Sequence, residues 1–363
     1  DVRTVLSPHL RSRARVAEEL GRGAVPTTVL RAAVIIGSGS ASYEMIEHLV
    51  RRLPVLILPS WGRTQCQPIS IRDVIKYLVG VLETPETAGA SFDIGGQDVL
   101  TYEMMLRIVA EILGKKRWFL SCPFSHVGPY AYVTGLITPV PVPITRSLME
   151  GLRNDVVCHD NRISSVLPFR MLTYREAIVR ALSREEQDVV YTRWSDAYPP
   201  AHELAIKLRE LSALPRYTAT CSLLTPKPAD ALFRSVCRIG GKGGWFHGNW
   251  MWRLRGKMDS LLMGVGTARG RRSSSSLRVN DVIDFWRVEV LVPNRRLLLR
   301  AEMKLPGRAW LEFRIDDEDD KKRLSVKAYY DTRTLFGKLY WYMFLPFHWY
   351  IFERLLARIE KRS

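Results

Sequence analysis

The chain has 363 residues, 47% of them hydrophobic, enough for two domains with sizeable cores and too many for wholesale disorder. Its five cysteines (66, 122, 158, 221, 237) form no C-x-x-C pair and its seven histidines are dispersed, so neither a metal site nor a dense disulfide framework is expected. The net charge of +17 comes from arginines scattered along the chain without a nucleic-acid motif; sequence-specific nucleic-acid binding is not expected, whereas a basic face suits an anionic membrane surface.

The first helix is predicted from "SPHLRSRARVAEEL" (7–20), with Ser7 at the N-cap, Pro8 at the first helical position and an end at Gly21. His9 and Arg13, four apart, share one face of it. "PTTVLRAAVIIG" (26–37) reads as one buried parallel strand, followed by a helix at 41–52 and the strand "PVLILP" (54–59). "QPISIRDVIKYLVGVLE" (67–83) holds a short extended piece and a helix with Asp73, read as structural, near its start. "ASFDIGG" (90–96) is another strand, and Thr101 caps a helix of about 12 residues. Strands joined by helices over 1–183 predict an α/β domain, and the polar stretch 184–205 a connection.

From 206 the pattern changes. "YTATCSLL" (217–224) is strand-like, and 228–238 and 247–263 read as helices. "LLLRAEMKL" (297–305), "AWLEFRI" (309–315) and "LSVKAYY" (324–330) alternate strictly, predicting an antiparallel sheet with one apolar face. "PGR" (306–308) and "DDEDDKK" (316–322) are its expected hairpin connections. A helix over about 335–361 is expected to cover the apolar face. Its apolar core "LYWYMFLPFHWYIF" (339–352) is short of the ~20 residues of a membrane span, and its aromatic richness admits interfacial attachment. "RGRRSSSSLR" (269–278) reads as a mobile basic loop, and Trp245, Trp250, Trp252 and Trp286 as buried packing.

Residues 7–37 resemble the catalytic helix and following strand of the extended and atypical short-chain dehydrogenase/reductase superfamily. Where that family has Tyr-x-x-x-Lys, this chain has His9 and Arg13. The resemblance implies a Rossmann-like α/β fold and an NAD(P) cofactor, with His9 and Arg13 at the degenerate catalytic positions. Arg13, Ala32, Ala33, Val34 and Ile35 become the cofactor-binding candidates. The family's phosphate-binding glycine motif is absent: "IIGSGS" has the wrong spacing, and "IGGKGGWFHG" (239–248) follows no βαβ pattern and is no P-loop. The resemblance therefore implies a member lacking its first strands. "GWFHGNWMWRLRGKMD" (244–259), "DVIDFWRVEVL" (281–291) and the strands after it resemble the DUF2867 family over roughly 188–361. That family implies an α+β helix-grip architecture of START or Bet v 1 type, an antiparallel sheet around a long C-terminal helix.

The expected protein is an NAD(P)-dependent oxidoreductase acting on an apolar or lipid-like substrate, its activity weakened by the lost Tyr and Lys. The alternative is a non-catalytic nucleotide- or lipid-binding module of a membrane complex. The expected setting is cytoplasmic and reducing, with peripheral membrane contact admitted.

Overall fold

A computed structural model describes residues 7–186, 192–197, 206–267, 269–273 and 276–363. The chain divides into two compact units, Asp1–Val189 and Val190–Ser363.

In the first unit, α1 (Pro8–Gly21) precedes β1 (Val29–Ala32) and β2 (Ile35–Ile36). Then come α2 (Ala41–Arg52), β3 (Val55–Pro59), β4 (Gln65–Cys66), β5 (Ile69–Ser70) and α3 (Ile71–Glu83). β6 (Ser91–Ile94), β7 (Leu100–Thr101), α4 (Tyr102–Ile112) and β8 (Trp118–Cys122) follow. α5 (Val127–Ile137), α6 (Val142–Gly151), α7 (Arg162–Val166) and α8 (Tyr174–Glu186) complete it. The strand expected at 26–37 is two short strands. β1 pairs in parallel with β6, and β2 in parallel with β5. Pro68 has no N–H to donate, so the second ladder opens only where Ile69 N meets the Val34 carbonyl at 2.9 Å. The chain crosses between the two partners at Ala33 and Val34.

β3 pairs in parallel with β8 and β4 antiparallel with β7, so the described strands form four separate pairs instead of one doubly wound sheet. The interior has two main clusters, one around Tyr43, Cys66, Met105 and Ile178, the other around Ile69, Tyr77, Phe92 and Ile94. Asp73 is fully buried; it accepts from Lys76 Nζ (3.0 Å) and from Leu172 N (2.8 Å), tying α3 to the approach to α8. Gly96 passes under the Pro68 carbonyl, where a Cβ would sit 2.2 Å from the oxygen, so this crossing requires glycine.

The second unit holds β9 (Tyr217–Thr225), α9 (Ala229–Val236), α10 (Asn249–Leu261), β10 (Val282–Ile283), β11 (Trp286–Val292) and β12 (Arg296–Ala301). β13 (Arg308–Glu318), β14 (Lys321–Asp331) and α11 (Leu335–Arg362) close it. All six strands are antiparallel, in the order β10-β11-β12-β13-β14-β9. Period-two side chains bring Leu299, Leu311, Ala328 and Ala219 into one row and Leu297, Phe313, Val326 and Cys221 into the next. Trp341, Phe352, Leu355, Leu356 and Ile359 of α11 pack on this face. Thr334 caps the helix at Gly337 N (3.0 Å), and Ser235 Oγ and Lys227 Nζ donate to its last carbonyls.

Three expectations for this unit change. β12 ends at Ala301, so residues 302–305 lie outside the ladder, while β13 and β14 run through "DDEDDKK" to a two-residue turn at Asp319, φ +51°. The opposite sheet face is covered rather than wet: Leu298, Trp310 and Tyr329 pack with Leu208. The third change concerns the "mobile" basic loop. Arg269 and Arg272 are buried in ion pairs with Glu302 and Asp281 (2.8 Å each), because a charge leaves water only with a partner. Ala268, Ser274 and Ser275 of that region lie outside the described residues, as does most of the expected connection at 184–205. Ser195 within it is buried, its carbonyl accepting from Arg287 Nη2 at 2.6 Å.

Candidate functional site

α1 carries the His9–Arg13 pair. The Ser7 hydroxyl accepts from Leu10 N at 3.3 Å and Pro8 starts the helix, as the spacing predicts. None of the helix's residues is buried, and it lies beside α6. His9 is half-buried and Arg13 exposed. Burial, then the Arg13 charge, holds the His9 imidazole below its usual 6.5, so it is neutral at physiological pH. Arg13 makes no ion pair among the described residues.

The wall residues 32–35 span the crossing between β1 and β2. Ala32 and Ile35 pack on the cluster around Ile69, while Ala33 and Val34 pack on that around Tyr43. All four are half-buried. Their first structural task is thus to join two cores. No hydrogen bond or ion pair connects them to His9 or Arg13 among the described residues. The glycines just beyond are committed as well: Gly37 is pressed against Ile71, and Gly39, φ +79°, turns the chain into the Ser40 cap of α2.

A second site lies where the carboxyl ends of β3 and β8 open a cleft of about 410 Å³, lined by Pro59, Ser60, Arg63, Glu103, Ser121 and Cys122 among others. The carboxyl ends of parallel strands are where α/β folds gather ligand-binding groups. Arg63 Nη2 approaches Ser121 Oγ at 3.5 Å, and Glu103 pairs with Arg107 at 2.6 Å. The Tyr130 hydroxyl and the Phe124 N–H hold the Cys122 thiol below its ordinary range; burial and that same thiol push Tyr130 up to about 12. Burial raises the other four thiols, Cys158 and Cys237 to about 11. Cys122 is therefore expected to react first with iodoacetamide near pH 7.5, read by peptide mass spectrometry; equal labelling of Cys122 and Cys237 refutes the assignment. Sequence reasoning missed this cleft because β3 and β8 are about sixty residues apart, and no motif announces their pairing.

In the second unit, α10 and α11 frame a groove of about 310 Å³ lined by Trp250, Met251, Pro346, Phe347 and Tyr350. Residues 214–355 match the family described as "Protein of unknown function (DUF2867)". The second unit carries a DUF2867 domain. The chain is also 26% identical over 170 residues to the mitochondrial NADH dehydrogenase [ubiquinone] 1 alpha subcomplex subunit 9 of Arabidopsis thaliana, covering 44% of this chain and 42% of that protein's length. Among solved structures it is similar to the UDP-glucuronic acid 4-epimerase of Bacillus cereus in complex with UDP-glucuronic acid and NAD (14% identity, TM-score 0.35). That match covers 49% of this chain and 51% of the epimerase. The UDP-glucose 4-epimerase of Thermotoga maritima gives 14% identity and a TM-score of 0.36, covering 49% and 52%.

Within the DUF2867 domain, three of the four singled-out tryptophans are packed. Trp245 stacks on Trp252 at 4.3 Å, lies 6.3 Å from Trp286, and donates from Nε1 to Asp284 at 2.8 Å. Trp250 departs from the expectation: it is exposed at the groove. On the inner side of α11, His348 Nδ1 is buried without a hydrogen-bond partner among the described residues. Among the described residues no three His, Cys, Asp or Glu side chains gather in metal-binding geometry.

Proposed function

We propose that this protein is NAD(P)-dependent oxidoreductase-like, its first unit supplying the nicotinamide side of a dinucleotide site and its DUF2867 domain acting as a helix-grip module for an apolar ligand. The observation that carries the reading is the pair on α1, an exposed guanidinium one turn beyond a neutral imidazole. Similarity to an NADH dehydrogenase subunit supports it. The residues present fit only part of the cofactor. Arg13 suits a ribose hydroxyl or a phosphate oxygen, and Ala32 to Ile35 offer an apolar wall. A pyrophosphate cradle is not among the described residues, because Gly37 and Gly39 are taken up by packing and capping. NAD(P) would supply hydride chemistry when bound. A guanidinium is no proton relay, and a neutral His9 offers only a weak donor, so these residues favour binding over turnover.

The apolar-ligand reading is supported by the sheet-and-helix arrangement of the second unit and by the buried, unpartnered His348 Nδ1 on the inner side of α11. A second reading, a non-catalytic nucleotide- or lipid-binding module of a membrane complex, is favoured by the same neutral imidazole. Titration of the chain with NADPH and NADH, followed by tryptophan fluorescence and melting temperature, tests the nucleotide site. Binding is expected, and Arg13→Glu is expected to weaken it about tenfold or more, the loss of a charge-assisted hydrogen bond of ~1.5–3 kcal/mol. Silence with both nucleotides overturns both nucleotide readings. Turnover that survives in His9→Phe removes His9 from the chemistry, whereas turnover abolished by it favours the first reading over the second.

A further inference from the structure

α11 is apolar on both sides. Its inner face is the core stripe Trp341, Phe352, Leu355, Leu356 and Ile359. Its outer face repeats the apolar pattern one helical turn at a time: Leu335 is 82% exposed, Phe336 69%, Leu339 66% and Tyr342 61%, with Met343, Phe347 and Tyr350 continuing the line. Trp349 beside it is 59% exposed. A helix apolar all round is ordinarily buried all round. Across the groove, α10 adds Trp250, Leu254 and Met258, also exposed. A contiguous patch of this kind marks a surface that something covers.

Charge says what covers it. The apolar line ends in cations: Arg354 lies over the Tyr350 ring at 4.5 Å, Arg362 over Phe246 at 4.1 Å, and Arg358 and Lys361 stand between them along the helix. α10 and α11 together hold eight basic residues (Arg253, Arg255, Lys257, Lys338, Arg354, Arg358, Lys361, Arg362) against three acidic ones (Asp259, Glu353, Glu360). Asp259 is fully buried and already accepts from Gly266 N and Lys304 N. A second copy of the same face would set like charges against each other, whereas a phosphate-rich surface complements them. No helix among the described residues is long and apolar enough to cross a membrane, and Pro346 interrupts the run.

We propose that the outer face of α11, with the adjoining face of α10, seats the protein on an anionic lipid bilayer. The helix lies in the interfacial plane. Phe336, Leu339 and Phe347 enter the boundary between headgroups and acyl chains, Trp250 and Trp349 sit at headgroup depth, and Arg354 and Arg358 meet the phosphates. The inference concerns the second unit and does not depend on nucleotide binding.

The test is co-sedimentation of the full chain with vesicles of phosphatidylcholine alone and of phosphatidylcholine doped with phosphatidylglycerol, with tryptophan emission as a second readout. Binding to the anionic vesicles with a blue shift is expected, weakened in about 1 M salt, where the screening length is ~3 Å. Arg354→Gln with Arg358→Gln is expected to weaken binding about 30-fold, roughly fivefold per charge removed. Phe336→Ser with Leu339→Ser and Phe347→Ser should abolish the blue shift while leaving the far-ultraviolet circular dichroism unchanged, since these side chains hold no core contact. Equal binding to both vesicles, no binding, or a dimer that the serine variants dissolve would overturn the proposal. NADPH titration run in parallel separates its failure from that of the nucleotide site.

Discussion

Replacing Glu302 with alanine lowers the melting temperature of the second unit by about 10 °C. Glu302, the residue just beyond β12, is buried, and its carboxylate accepts from Arg269 Nη1 (2.8 Å) and Arg287 Nε and stands 3.5 Å from Arg300 Nη2. Removing the anion strands guanidiniums that are themselves almost fully buried, and an uncompensated buried charge costs about 3–5 kcal/mol. For a unit of this size each kcal/mol moves the transition by ~2–4 °C. Of the ten tryptophans only Trp61 and Trp118 lie in the first unit, which leaves eight to report this transition by near-ultraviolet circular dichroism of the full chain. Substituting Leu for Glu302 together with Met for Arg269 and Arg287 is expected to recover part of the loss, because the two guanidiniums that donate to the carboxylate leave with it and only Arg300, 3.5 Å away, keeps its charge. A Glu302→Ala cost below about 1 kcal/mol, the scale of an exposed pair, would mean the network is wet.

Acidification weakens the second unit through His348. Its ring lies between Trp341 (5.1 Å) and Phe352 (5.4 Å, stacked at 10°), and burial lowers its pKa from 6.5 to about 4. The unfolded chain therefore takes up the proton first as pH falls. Stability is complete above about 6.5 and is lost progressively down to about 4, in all ~3 kcal/mol at 1.36 kcal/mol per pKa unit. Phenylalanine keeps the ring packing and removes the titration, so His348→Phe should hold its stability across that window while the parent loses it. His247, held low by burial and then by the charges of Arg354 and Arg358, contributes equally to both proteins and cancels in the comparison. Parallel pH profiles for the two proteins would refute the role of His348.

Much of this architecture was legible residue by residue. Strict alternation in "AWLEFRI" and "LSVKAYY" identified β13 and β14 and their inward rows, because a strand's side chains alternate whatever lies beyond it. Ser7 and Thr101 marked helix starts through their own hydroxyls, a contact three residues long. That His9 and Arg13 share a helix face was visible from their spacing, and their place as a candidate site came from the resemblance of residues 7–37 to the short-chain dehydrogenase/reductase helix. The cleft at Cys122 was not, since it exists only because β3 and β8 pair, nor was the division of residues 26–37, which is set by two different partner strands.

What the sequence determined by itself, then, is the type and apolar face of the strongly periodic elements, such as α1, β13, β14 and α11, and the shared face of His9 and Arg13, since these rest on sterics and periodicity within a few residues. The tertiary structure alone decided which polar groups are buried and which greasy faces stay open. Arg269 meets Glu302 across 33 residues of chain, and Leu339 is exposed because α11 turns Trp341 inward instead. Burial and charge pairing depend on segments far away in the chain, and no local pattern carries that information.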